Sequence, residues 1–323
     1  MAVYTEVTPN DLDLLLKDFD LGTQVALEGI QGGIENTNYF VTLKQDKKQQ
    51  RYVLTLFEEL SEEELPFFVE LAQWQAKRGI PLPYGIPDRN GIAQKRLNDR
   101  PALMQPCFSG RIIDRSQLTP QHCAQVGTAL AQFHKAGEDF YLQRQAHRGV
   151  FWWRSESSRV QSHLPETDAK LLLDEVAAFD ALREHADKLP SGVIHGDLFH
   201  DNVLFDGDQL SAILDIYNAA TAFWLFDLAI VANDWCSLPD GSIDNARESA
   251  LLRAYHAERP FVEFEYEAWP TLTRTAAMRF WLSRLLPALG LEDNGDNDKK
   301  IKDPDELKQI LLSRIRTPGV LPS

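Results

Sequence analysis

The chain has 323 residues, 44% hydrophobic and 25% charged, the balance of a soluble globular protein and long enough for two lobes. Its formal net charge of −15 argues against nucleic-acid and anionic-membrane partners, which call for basic surface. An anionic nucleotide stays admissible, because distant charges are screened beyond about 8 Å at physiological salt.

The segment after Met1 lacks the basic and apolar parts of a signal peptide, and no run approaches the roughly 18 apolar residues that span a bilayer. Cys107, Cys123 and Cys236 give neither a zinc spacing nor a disulfide framework. A cytoplasmic protein is therefore expected, as a monomer or weak homo-oligomer. Thr8 and Pro9 start a helix over 8–20 with Leu12, Leu15, Leu16 and Phe19 on one face. Strands at 25–28, 37–44 and 51–57 carry β-branched and aromatic residues between polar turns, the pattern of an antiparallel meander. A helix over 66–78 turns Phe68, Leu71 and Ala72 inward and stops at Gly79. Two more strands are expected at 92–93 and 102–105, after which Pro106 interrupts the ladder.

The lobe boundary is placed there, giving an N-terminal nucleotide-binding lobe over 1–105 and a C-terminal catalytic lobe over 106–323. Thr119 and Pro120 open a helix through Cys123, Val126, Leu130 and Phe133 that ends at Gly137. Further helices are read at 166–188, 223–236, 244–257 and 267–289, with short strands at 191–194, 203–205 and 213–214. The polar stretch 291–306 reads as flexible, and 305–315 as a short amphipathic helix. The fold class is α+β, a small β-rich lobe followed by a larger helical one, with a nucleotide cleft expected between them.

The densest chemistry is His195-Gly196-Asp197-Leu198-Phe199-His200-Asp201-Asn202, followed after a hairpin by Ile213-Leu214-Asp215. A carboxylate on a loop, Asp197, suits the handling of a substrate hydroxyl. Asn202 and Asp215 offer the hard oxygens that Mg2+ prefers. A His-x-Asp-x-x-x-x-Asn match arises by chance in roughly a few of every hundred such chains. A second acid at the end of an apolar strand, at the kinase interval, makes coincidence far rarer. Asp206 and Asp208 bracket Gly207 as turn residues. His195 reads as a group that shapes the loop, and His200 as an ordinary loop side chain.

Around this centre, Gly32, Gly33 and Asn36 join two predicted strands, where glycines let backbone N–H groups approach phosphates. Thr55 stands on the strand where kinases carry a phosphate-holding lysine, so this chain lacks that charge. Asp227 interrupts an apolar helix and is expected to tie down the catalytic loop. Asp234, with Arg279 or Arg284 from the last apolar helix, is a candidate for acceptor recognition, since Arg grips a carboxylate bidentately. An ion pair with an acid of a neighbouring helix is an equal reading for the arginines.

The order of lobes and the set Asp197, Asn202 and Asp215 resemble the aminoglycoside phosphotransferase and choline kinase branch of the kinase superfamily. Within it, Thr55 in Tyr52-Val53-Leu54-Thr55, the segment 35–40, Asp215-Ile216-Tyr217-Asn218 and Asn233-Asp234-Trp235-Cys236 are similar to the kinase-like homoserine kinases of bacteria. The resemblance covers nearly the whole chain and implies a two-lobed protein-kinase-like fold. It implies transfer of the ATP γ-phosphate to L-homoserine, with Asp197 as catalytic base and Asn202 and Asp215 on Mg2+. Gly32, Gly33, Asn36, Val53, Thr55, Gln105, Cys107 and Phe108 would line the nucleotide, the last three in the hinge beside adenine. Ile216 departs from the Phe common in relatives, beside the acid that ligates metal. A kinase for choline or an aminoglycoside, and a non-catalytic nucleotide-binding regulator, are the alternatives.

Overall fold

The computed structural model describes residues 3–31, 36–292 and 302–323, so Gly32 and Gly33 lie outside the described residues, as do 293–301 of the polar stretch. The chain divides into two units, Met1–Ser109 with Ser211–Leu214, and Gly110–Leu210 with Asp215–Ser323.

The first unit is built on an antiparallel sheet in the order β1-β2-β3-β5-β4. Its strands are β1 (Thr23–Gly29), β2 (Asn36–Gln45), β3 (Lys48–Phe57), β4 (Lys95–Leu97) and β5 (Arg100–Pro106). The two-residue period of a strand sends alternate side chains to opposite faces. Tyr39, Val41 and Leu43 of β2, Tyr52, Leu54 and Leu56 of β3, and Ala102 and Met104 of β5 share the core face. Leu12, Leu15, Leu16 and Phe19, from α1 (Pro9–Leu16) and the turn after it, join that core. The opposite face receives Asn38, Val53, Thr55 and Gln105, since Asn38 pairs with Thr55 and Val53 with Gln105 in the register. Helix α2 (Leu65–Lys77) buries Phe68, Leu71 and Ala72.

One expectation in this unit fails. Residues 92–93 form no strand: Asp88 accepts from the backbone N–H of Asn90 and of Ile92 at 2.8 and 2.9 Å, and Gly91 takes φ 82°, so a side-chain-capped turn replaces the extended chain. Pro106 ends β5 as expected: it pairs with Tyr52 as the last residue of the strand, where a missing N–H costs no further ladder bond.

The second unit is helical. Helix α3 (Pro120–Ala136) is capped by Thr119, whose hydroxyl accepts from His122 N–H, and packs along α7 (Asn245–Glu258). Gly127 makes that approach feasible, because a Cβ there would lie 2.4 Å from the Leu251 carbonyl oxygen. Helix α4 (Val150–Val160) was not expected: Gly149 gives it no side-chain cap, and its serines and charges blur the apolar stripe. Helix α5 (Glu166–Arg183) ends earlier than the pattern suggested. Every residue of α6 (Trp224–Trp235) is buried, so its Asp227, Asn233 and Asp234 must find partners inside the protein. The long α8 (Glu263–Ala288) packs on α6 and on α9 (Pro304–Arg316). No helix among the described residues is long and apolar enough to cross a membrane.

Two short pairings position the polar loop. Strands β7 (Val203–Asp206) and β8 (Gln209–Ile213) form a hairpin that turns at Gly207 with φ 60°. Strand β6 (Ser191–Ile194) pairs antiparallel with β9 (Ala220–Phe223), which sequence reading missed, in the register Ile194 to Ala220. The chain leaving β6 and the chain entering β9 therefore run side by side.

Candidate active site

That register brings the 195–202 loop beside the 215–219 segment. Gly196 sits at φ 78°, and a Cβ on it would fall 2.6 Å from the Asn218 carbonyl oxygen, so glycine is required by both conformation and space. Asp215 adopts the left-handed region at φ 56°, ψ 60°, which Asp tolerates better than most residues. Asp197, Asn202 and Asp215 are all half-buried. Asn202 Nδ2 donates to the Asp197 carbonyl oxygen at 2.8 Å and lies 3.5 Å from the Asp197 carboxylate. With its nitrogen engaged, the amide oxygen of Asn202 is the atom it offers to a cation.

The loop backbone is held from below by α6. The N–H groups of His195 and Gly196 donate to Asp227 at 2.7 and 2.8 Å. Asp197 N–H reaches His195 Nδ1 at 3.3 Å, and Trp235 Nε1 donates to the Leu198 carbonyl at 3.0 Å. Asp227 and His134 are both 0% exposed, and His134 Nε2 lies 3.0 Å from the Asp227 carboxylate. Burial pulls the His134 imidazole down against the pull of Asp227, so the ring is neutral. Burial pushes the Asp227 carboxyl up, but the hydrogen bonds from His134 and Gly196 outweigh it and hold it below the usual range.

The proton pattern follows. Arg259 Nε donates to Tyr255 Oη at 2.9 Å, so the Tyr255 hydroxyl proton goes to His134 Nδ1 at 2.7 Å, and His134 carries its proton on Nε2, toward Asp227. Glu265 closes the chain on Arg259.

Seven residues along α6, Asp234 accepts from His200 N–H at 2.6 Å, lies 2.8 Å from His200 Nδ1 and pairs with Arg115. Burial lowers the His200 imidazole, but Asp234 outweighs it and the net shift is upward. Burial raises the Asp234 carboxyl, yet His200 and Arg115 hold it below the usual range. Arg115 also pairs with Glu306 of α9, which takes Arg284 Nη1 at 2.6 Å on its other oxygen. Arg279 stacks over Phe280 at 3.8 Å. The structure thus brings Asp234 and Arg284 into one network through Arg115 and Glu306, neither of which was singled out from sequence.

In the first unit, Thr55 Oγ1 lies 2.7 Å from Asn38 Oδ1 and 2.9 Å from Gln105 Oε1. A hydroxyl has one proton to give. Asn38 Nδ2 donates to the Asn36 carbonyl at 3.3 Å, which leaves Asn38 Oδ1 and Gln105 Oε1 as the two acceptors that share the Thr55 proton. Thr55 is thereby 3% exposed and committed to a neutral network. Asn36 opens β2, Val53 lies two residues before Thr55 on the same strand, and Cys107 and Phe108 follow β5.

A β-rich unit and a helical unit that carries the Asp197–Asn202 loop are the two parts of a protein-kinase-like small-molecule phosphotransferase. The profile of the phosphotransferase enzyme family matches residues 26–261. A homoserine kinase of Pseudomonas aeruginosa is 42% identical over 317 residues, covering 97% of this chain and 96% of its own. A homoserine kinase of Methylobacillus flagellatus is 45% identical over 288 residues, covering 88% and 87%. A solved amicoumacin kinase in complex with AMP-PNP, Ca2+ and Ami superposes with a TM-score of 0.66 at 15% identity, covering 94% of this chain and 92% of that one. The chain belongs to the phosphotransferase enzyme family and falls among its homoserine kinases.

Proposed function

We propose that this enzyme transfers the γ-phosphoryl group of ATP to the side-chain hydroxyl of L-homoserine, giving O-phospho-L-homoserine, in the cytoplasm. The observation that carries the reading is the Asp197–Asn202 pair on a loop whose backbone is pinned by Asp227, in a chain 42% identical to a homoserine kinase over nearly its full length. Asp197 is the catalytic base: its carboxylate orients the acceptor hydroxyl and takes its proton as the new O–P bond forms. His195 and Asp227 keep that carboxylate in place through the loop backbone.

Asn202 and Asp215 supply an amide oxygen and a carboxylate, a donor set that fits Mg2+ and suits no softer metal. When bound, Mg2+ neutralises charge on the phosphate oxygens. Asn36, Val53, Thr55, Gln105, Cys107 and Phe108 take the nucleotide, with Gly32 and Gly33 at its phosphates. Because Thr55 brings no charge, backbone amides and Asn36 carry the share a lysine carries elsewhere.

The test is ADP release that depends on both homoserine and Mg2+. Asp197→Asn is expected to lower kcat by about 10²- to 10⁴-fold with thermal unfolding unchanged. Turnover of choline or an aminoglycoside but not homoserine would overturn the acceptor, and nucleotide binding without turnover of any amino alcohol would overturn catalysis.

A further inference from the structure

We infer that Arg115 and Arg284 form a two-guanidinium site for the α-carboxylate of an amino-acid acceptor, and that the Glu306 carboxylate of α9 is its internal occupant, displaced when the acceptor binds. The inference rests on the homoserine kinase reading and names the part of the site that reads the acceptor.

Four observations carry it. First, the arginines come from unrelated places, Arg115 from the turn before α3 and Arg284 from α8, yet both close on one carboxylate: Arg115 Nη1 on Glu306 Oε1, and Arg284 Nη1 on Oε2 at 2.6 Å. A carboxylate held at both oxygens by two guanidiniums is the geometry in which Arg recognises an anionic ligand. Second, Arg115 is tied through Asp234 to His200 N–H, three residues beyond Asp197, so the clamp is indexed to the catalytic loop. Third, Arg115 Nε is buried with no hydrogen-bond partner among the described residues. Such a donor is costly to leave unmet and is available to a further acceptor oxygen. Fourth, the cavity bordered by Arg115, Phe199, Asp234, Arg284 and Glu306 has room of only about 10 Å³, about one water. An amino acid enters it only as Glu306 leaves.

Glu306 is the member able to leave. Its side chain is 36% exposed, against 28% for Arg115, 10% for Arg284 and 2% for Asp234. The four side chains balance, two cations against two anions. A zwitterion brings no net charge: its carboxylate replaces that of Glu306 between the guanidiniums, its ammonium lies toward Asp234, and Glu306 turns out to solvent. A cation without a carboxylate, such as choline, would leave two guanidiniums facing each other with no anion between them. The clamp thus selects α-amino acids.

The experiment compares KM and kcat for homoserine and for homoserinol, in which CH2OH replaces the carboxylate. Turnover of homoserine by the unmodified enzyme tests the functional reading alone; the variants test the clamp. Arg284→Gln is expected to raise KM for homoserine about 10- to 100-fold with kcat little changed, and to lose most of the preference over homoserinol. Glu306→Gln is expected to lower KM for homoserine about 2- to 5-fold, because a competing ion pair of partly exposed groups is removed. An undiminished preference over homoserinol in Arg284→Gln, or an unchanged or raised KM in Glu306→Gln, overturns the proposal. Should Arg284→Gln not fold, Glu306→Gln decides it alone.

Discussion

Asp227 and Asp234 stand two turns apart on the buried helix α6, and each accepts backbone N–H groups of the same loop, yet their surroundings differ in kind. Asp227 ends a sealed relay through His134, Tyr255, Arg259 and Glu265 in which every proton has one direction and the histidine is neutral. Asp234 sits with His200 and the charged Arg115 in a group that borders a cavity and reaches a partly exposed glutamate. The first arrangement fixes the loop. The second holds it with partners that can be exchanged. One helix thus supplies a rigid support under Asp197 and an adaptable one beside the proposed acceptor site, and substitutions separate the two.

Asp227→Ala should have the largest effect. It leaves two loop N–H groups and His134 without their acceptor in a dry interior, and a loss of about 3–5 kcal/mol is expected, read by denaturant unfolding, with activity collapsing alongside. Asp234→Asn removes a charge from a group with access to solvent. A loss of about 1–3 kcal/mol is expected, with KM for the acceptor rising more than stability falls; an effect as large as that of Asp227→Ala would erase the contrast. Tyr255→Phe breaks the relay one step from Asp227 and should cost about 1–2 kcal/mol in unfolding free energy while leaving KM unchanged.

The smallest effect is a pH dependence of opposite sign at the two histidines. His200, shifted up in the fold, contributes stability that is full below its unfolded pKa of about 6.5 and is lost as pH rises through its folded value. His134, shifted down, contributes stability that is full above about 6.5 and falls as pH drops toward its lowered value. Melting temperature against pH should therefore sag on the alkaline side through His200 and on the acid side through His134. His200→Asn is expected to flatten only the alkaline limb.

Local pattern made much of the fold legible. Alternation in β2 and β3 and the capped starts of α1 and α3 follow from residues within a few positions of one another. Helix α4 and strand β9 escaped because neither carries a clear period or cap. The Asp197–Asn202 pair could be read from spacing, since both lie on one loop. The groups around them could not: His134 meets Asp227 across 93 positions, and Arg115 meets Glu306 across 191. No local signal marks a histidine in an amphipathic helix as a hydrogen-bond relay, or a glutamate in the first turn of a late helix as the partner of two distant arginines.

Gly127 gains a wider meaning from the relay. It sits two turns before His134 on α3, facing the Leu251 carbonyl one turn before Tyr255 on α7. The spacing of the two helices at that crossing therefore sets the 2.7 Å bond between His134 and Tyr255. A single methyl added at 127 would act as a wedge, prising the helices apart far from any substrate and slackening the support of the loop. That makes an unremarkable glycine a natural place for heat-sensitive alleles, in which an enzyme sound at low temperature fails when warmed.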